Sequence, residues 1–126
     1  MKFALPALAA ALAIALTVAA PAQAQDARPF AGYFGNTLIS KHADGVEHRV
    51  WLNPDDSFSI RHDGKVIMSG TYALVDGKIC LSTAGAPADA KPTCLPARPA
   101  NKVGDSWPSV GPSNQPETHT IVAGRD

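Results

Sequence analysis

Four side chains that bind metals or protons lie close together in the chain: His42, Asp44, Glu47 and His48. Two imidazoles beside a carboxylate form a common ligand set for divalent transition metals. The Asp-Gly pair at residues 44–45 predicts a hairpin, which brings the two histidines towards each other. Neither a His-x-His nor a His-x-x-Glu-His spacing accompanies them. The sequence therefore predicts no metal and no cofactor, and His42 and His48 stay weak candidates against an ordinary exposed polar turn.

Hydrolytic chemistry needs a nucleophile held against a base, with a third group that orients the base. Serines, histidines and aspartates are present, but the Gly-x-Ser-x-Gly motif of a nucleophile elbow is absent. We therefore predict that the protein is not an enzyme. A cleft that gathered His62 or His119 with a carboxylate and a serine would favour the opposite hypothesis.

The segment Gly104-Asp105-Ser106-Trp107 is the most distinctive part of a proline-rich region. A tryptophan there either plugs one end of a sheet or is an exposed contact residue, because tryptophan combines a large apolar surface with one N–H donor. The plug is the favoured interpretation. The exposed contact is the best functional lead, and it makes Trp107, Asp105 and Ser106 the candidate partner-contact site.

The elements that position these residues are predicted to be β-strands. Residues 36–82 contain short runs of alternating polarity, separated by Asp-Gly pairs at 44–45, 63–64 and 76–77 and by a turn at 53–56. This pattern predicts an antiparallel meander of five strands. The predicted strands cover residues 37–41, 46–52, 57–62, 66–74 and 78–82. The aromatic cluster Phe30, Tyr33 and Phe34 is expected to cap one end of the fold, and the alternative is a platform for a ligand.

Seven of the eleven prolines lie between Pro87 and Pro116. Proline lacks a backbone donor, so we expect a proline-rich loop over residues 83–117, interrupted by a short strand at 93–95 and otherwise extended from 96 to 117. Residues 119–123 predict a closing strand, which either pairs with the first strand in a small barrel or extends an open sheet or sandwich. The predicted fold class is all-β.

The first 24 residues are typical of a cleavable export signal. Lys2 is followed by an apolar run, and Ala22-Gln23-Ala24 matches the small-x-small pattern that precedes cleavage. We expect cleavage after Ala24, or alternatively after Ala22. The predicted signal helix lies outside the fold, no membrane anchor remains after cleavage, and the periplasm or the exterior of a bacterial cell is the expected location.

Residues 25–126 then form one small domain with 10 Lys and Arg against 11 Asp and Glu, because Lys2 is the one charged residue of the signal. A nearly neutral, mixed surface argues against a nucleic-acid partner. In an oxidising compartment the two cysteines, Cys80 and Cys94, predict a single structural disulfide.

Short motifs resemble a pattern in small exported alphaproteobacterial proteins of unknown function: Gly35-Asn36-Thr37-Leu38, Gly70-Thr71-Tyr72 and Asp76-Gly77-Lys78-Ile79-Cys80, followed by Cys94. The similarity covers residues 33–96 and implies no activity. The general plan also resembles small periplasmic β-barrel protease inhibitors with one disulfide, which is an analogy of fold and does not fix function.

These observations predict a non-catalytic binding or interaction module with an envelope or secreted protein as its partner. The alternatives are a protease-inhibitor-like barrel and a protein that binds a metal or a small ligand.

Overall fold

A computed structural model describes residues 27–125 of the chain. The predicted export signal, residues 1–24, lies outside the described residues, as does its cleavage site. Within the described part, no helix has the length and apolar character needed to cross a membrane.

The described residues form eight β-strands after a single-turn 3-10 helix, Ala31–Tyr33. The strands are β1 Thr37–His42, β2 Glu47–Leu52, β3 Ser57–His62, β4 Lys65–Val75, β5 Lys78–Thr83, β6 Thr93–Pro96, β7 Ser106–Val110 and β8 Pro116–Val122. The predicted five-strand meander and the short strand near 93–95 are confirmed.

All eight strands belong to one antiparallel sheet with the order β6-β5-β4-β3-β2-β1-β8-β7. The predicted closing strand pairs with β1, with Leu38 opposite Ile121. The two outermost strands, β6 and β7, approach each other at a seam without forming a hydrogen-bonded ladder. The sheet is therefore a nearly closed barrel, which resolves the alternatives of barrel, open sheet and sandwich.

Local turn chemistry explains why the meander forms. At Asp63-Gly64 and Asp76-Gly77 both residues have positive φ, between 49° and 76°. This is the backbone of a two-residue type I′ hairpin, whose twist matches that of the flanking strands. In the first hairpin, the Asp44 carboxylate accepts a hydrogen bond from the Val46 backbone N–H at 3.0 Å.

The prediction of an extended excursion over residues 96–117 is wrong, because this stretch contains β7. Pro108 lies in the middle of that strand, opposite Thr118 of β8. A proline cannot donate to a ladder, but β7 is an edge strand with a partner on one side only. The missing donor is tolerated at such an edge, so a high proline content did not exclude a strand here.

The aromatic cluster before β1 caps one end of the barrel, as predicted. Phe30 is 2% exposed and its ring meets those of Tyr33 and Tyr72 edge-on, at centroid distances of 5.4 and 5.6 Å. The Tyr33 hydroxyl donates a hydrogen bond to the Arg98 carbonyl oxygen at 2.9 Å. These contacts close the barrel end opposite the β1–β2 hairpin. The buried core consists of Phe30, Tyr33, Leu52, Phe58, Tyr72, Leu81, Trp107 and Ile121.

The predicted disulfide joins Cys80 to Cys94, which lie directly opposite each other on β5 and β6. It ties the four-residue edge strand β6 to the rest of the sheet. A disulfide of this kind is compatible with an oxidising extracellular compartment.

Candidate ligand cavity with a polar wall

The barrel encloses a cavity of about 410 Å³. Phe30 and Tyr33 form its closed end. At the other end the cavity is lined by Ile67 and Met68, which are 55% and 39% exposed. The cavity therefore opens to solvent at the end of the barrel that carries the β1–β2 and β3–β4 hairpins, and this opening is called the mouth.

Alternate residues of each strand face inwards, and most of those that line the cavity are apolar. Leu38 on β1, Val50 on β2, Ile60 on β3, Ile79 on β5 and Leu95 on β6 contribute to its wall. An eight-stranded barrel is just wide enough either to be filled by its own side chains or to hold one small ligand. Here the inward side chains do not fill the barrel, and the cavity is the space that they leave.

One wall of the cavity is polar and centres on Glu117 of β8, whose side chain is 6% exposed. Its Oε2 accepts hydrogen bonds from Ser40 Oγ at 2.7 Å and from His119 Nε2 at 2.9 Å. Its Oε1 lies 3.1 Å from His42 Nε2. Gly111 permits this position, because a Cβ atom there would overlap Oε1. The buried carboxylate is thus satisfied on both oxygens.

Strand register explains why these residues meet. His42 is opposite Glu117, and Ser40 is opposite His119 on β8 and His48 on β2. All of them occupy inward positions of period 2 on three neighbouring strands. The polar wall is therefore a patch of adjacent inward side chains near the mouth.

Burial alone would raise the pKa of Glu117. The hydrogen bonds from Ser40 and His119 and the neighbouring imidazoles of His119 and His42 outweigh that effect, so the pKa lies below its ordinary value. The carboxylate is therefore ionised at neutral pH and can only accept hydrogen bonds. It follows that His119 donates to it through Nε2–H.

His48 differs from the other residues of the polar wall. It is half-buried and lines the cavity, and its ring meets His42 and His62 edge-on at centroid distances of 5.0 and 5.3 Å. Within residues 27–125 its imidazole forms no hydrogen bond. Burial lowers the pKa of His48, and the nearby His42 and His62 lower it further against an opposing effect of Glu117. A neutral imidazole with one donor and one acceptor therefore faces the cavity.

Ser40, Glu117 and His119 gather a serine, a carboxylate and a histidine in one cleft, which is the condition set above for an enzyme. Their connectivity differs from that of a catalytic triad. The Ser40 hydroxyl donates a hydrogen bond to Oε2 of the carboxylate, and His119 Nε2 contacts the same oxygen. A triad needs the serine on an imidazole nitrogen that can take its proton. This arrangement orients side chains and does not activate Ser40 as a nucleophile.

The weak metal candidates His42 and His48 do lie side by side, as the hairpin predicted, but His42 Nε2 is engaged with Glu117. In the described part of the chain, no group of three or more His, Cys, Asp or Glu side chains is placed to hold a metal ion. The geometry adds no third ligand to the pair.

The candidate partner-contact residues lie on or next to β7, and Trp107 is buried. The residue is 6% exposed and lines the cavity, with its ring centroid 5.7 Å from that of His119. The interpretation of Trp107 as an exposed contact is therefore corrected, because its position on β7 faces inwards. Asp105 accepts a hydrogen bond from the Lys102 backbone N–H, and Ser106 shares one with the Thr120 hydroxyl.

Sequence reasoning missed Ser40 and Glu117 as site residues. Two weak signals were present: Ser40 lies between Leu38 and His42 at inward spacing, and Glu117 lies two residues before His119. Glu117 was missed because the predicted closing strand began at residue 119, whereas β8 begins at Pro116 and includes Glu117.

Replacing His48 by glutamine is expected to weaken the loss of stability that accompanies a fall in pH below about 6.5. The pKa of His48 is lowered from 6.5 in the folded protein, so below pH 6.5 the unfolded chain binds more protons than the folded one. Stability is then lost as the pH falls from 6.5 towards the folded pKa. Urea unfolding at several pH values should show a flatter dependence for the variant. Identical pH dependence in both proteins would contradict the assigned environment.

Comparison with family models, curated proteins and solved structures found no match to this chain.

Proposed function

We propose that this chain is a non-catalytic binding protein that holds a small, mostly apolar ligand inside its barrel. The observation that carries the proposal is the cavity of about 410 Å³, open at one end and walled mainly by aliphatic side chains. Ligand sites of proteins have volumes of about 300–1,000 Å³ and combine apolar walls with a few polar groups. The cavity fits both criteria.

The polar wall suggests which chemistry the ligand carries. Glu117 is satisfied by Ser40, His42 and His119, so it serves to fix those side chains. His48 keeps a free donor and a free acceptor towards the cavity. A ligand with an apolar body and one hydroxyl or carbonyl group would place that group on His48 near the mouth and its body among Leu38, Val50 and Ile60.

Small-ligand binding was one alternative from the sequence. It is preferred to a protein-contact module because Trp107, the residue on which that hypothesis depended, is buried. We further propose that residues 1–24 export the chain to the periplasm or beyond, where the Cys80–Cys94 disulfide is stable.

Filling the cavity is expected to abolish binding of a neutral apolar probe, N-phenyl-1-naphthylamine. Leu38→Trp places an indole in the space that the probe would occupy. The measurement is the rise in probe fluorescence on titration with protein, with circular dichroism to verify that the variant is folded.

Ile39→Trp is the matched control, because Ile39 is the next residue of β1 and does not line the cavity. It adds the same indole to the outer face and should leave probe binding unchanged. Absence of probe binding by the unmodified protein, or equal binding by the folded Leu38→Trp variant, would refute a ligand site in the barrel.

A further inference from the structure

Two arginines lie opposite each other on the outer face of the barrel. Arg49 of β2 pairs in register with Arg61 of β3. Their neighbours Val50 and Ile60 line the cavity, so alternation along each strand directs both arginine side chains outwards. Like charges in directly opposed positions on a sheet destabilise it.

No acidic side chain within residues 27–125 forms an ion pair with either arginine. The one carboxylate on the same face of β2, that of Glu47, lies 3.9 Å from Lys41 Nζ and is paired there. Neither Arg49 nor Arg61 donates a side-chain hydrogen bond to the described part of the protein, and Arg61 Nε is buried without a partner. The N–H donors of the two guanidinium groups therefore have no acceptor in the described part of the protein.

Stacking on Trp51 positions Arg61. Its Cζ atom lies 3.9 Å from the centroid of the Trp51 ring. That ring is itself fixed, because Trp51 Nε1 donates a hydrogen bond to Thr37 Oγ1 at 3.1 Å. A guanidinium stacked on an aromatic ring keeps its N–H groups directed outwards from its edge. Stacking thus holds the Arg61 guanidinium in place, although its N–H groups have no acceptor among residues 27–125.

Arg125 adds a third positive charge beside the same ring, with its Cζ atom 5.1 Å from the Trp51 centroid. Its guanidinium donates to the carbonyl oxygens of Leu52 and Asn36 and to the Asn53 side-chain oxygen. These neutral acceptors hold its position, and no carboxylate among residues 27–125 forms an ion pair with it. The outer face around Trp51 thus carries Arg49, Arg61 and Arg125 without an acidic ion-pair partner among residues 27–125.

We propose that Arg61, which is ordered on the Trp51 ring, and Arg49, which lies opposite it in the sheet, together bind a phosphate group. Two guanidinium groups carry two positive charges, which a phosphate group with a charge of about −2 can neutralise while its terminal oxygens accept from both forks. The bound anion would also remove the repulsion between the two arginines. The site lies on the outer face of β2 and β3 and is independent of the cavity proposed above.

The test is a titration of the oxidised protein with inorganic phosphate, followed by NMR of the arginine Nε–H and tryptophan indole N–H resonances. Arg61 and Trp51 should shift saturably, while the buried Trp107 indole should not. Sodium chloride at matched ionic strength is the reference and should not reproduce the shifts. Equal shifts with chloride, or no saturable shift, would overturn the proposal.

Arg61→Gln is expected to weaken phosphate binding about tenfold, the loss expected for a charge-assisted hydrogen-bonded contact. Arg98→Gln is the matched control, because it removes the same charge beside Trp107, away from this surface. It should change the affinity less than about twofold, which is the effect of general screening. An equal loss in both variants would show nonspecific attraction and overturn the site.

Phosphate groups reach a protein either in soluble compounds or on lipid headgroups. Sedimentation with phosphatidylglycerol vesicles, against phosphatidylcholine vesicles, separates these sources. Cosedimentation that Arg61→Gln abolishes would assign a lipid phosphate. Saturable phosphate binding without cosedimentation would assign a soluble phosphorylated compound.

Discussion

Replacing Trp107 by alanine is expected to lower the free energy of unfolding by about 3 kcal/mol, at the lower end of the range for large aromatic residues in cores. The indole is buried against Tyr33 and His119. The cost should not reach the upper end of that range because Trp107 already borders a cavity, so fewer contacts are lost than in a filled core. For a domain of this size the melting temperature should fall by roughly 10–25 °C.

Trp51→Ala is the control, since both variants delete an indole but Trp51 lies on the outer face. It loses the stacking of Arg61 and the hydrogen bond to Thr37 Oγ1, each worth about 1 kcal/mol, so its cost should stay below that of Trp107→Ala. Thermal unfolding followed by circular dichroism compares the two variants. A Trp107→Ala variant as stable as the unmodified protein would mean that this side chain is exposed in solution, and would restore it as a partner-contact residue.

Removing the disulfide with Cys80→Ala and Cys94→Ala together is expected to cost about 3 kcal/mol. The two cysteines are 14 residues apart, and closing a loop of that length restricts the unfolded chain by about this free energy. Stability of small domains is only about 5–15 kcal/mol, so the link is a large share of it. Urea unfolding of the oxidised protein and the double variant measures the difference.

The effect should extend to ligand binding, because β6 pairs only with β5 and contributes Leu95 to the cavity wall. We expect the double variant to bind the apolar probe more weakly. Reductant should destabilise the unmodified protein and leave the double variant unchanged. Equal unfolding curves for the oxidised protein and the double variant would contradict a stabilising role of the link.

Much of the fold was predictable because its determinants are local. Asp63-Gly64 and Asp76-Gly77 adopt the positive φ values that a type I′ turn requires, and the flanking residues alternate as strands do. The cysteine pair admitted one connectivity. These features depend on residues close together in the chain, where the preferences of a few side chains decide the conformation.

The strand β7 and the buried state of Trp107 were not predictable in this way. Pro108 argues against a strand unless that strand is known to lie at the edge of the sheet. Which strand lies at an edge depends on the pairing of strands across the whole barrel. The cavity-facing direction of Trp107 follows from the register of β7 with β8. A residue pattern does not contain that register.

The candidate site likewise combines features that a local sequence pattern predicts with features that depend on strand pairing. The hairpins of the β1–β5 meander, the disulfide and the inward spacing of Ser40 and His42 can be inferred from the chain alone, because each is a short-range pattern. The contact between Ser40 and Glu117 spans 77 residues and exists because β8 closes onto β1. Burial, hydrogen bonding and the lowered pKa of Glu117 arise from that closure, so the polar wall of the cavity is a property of the folded barrel.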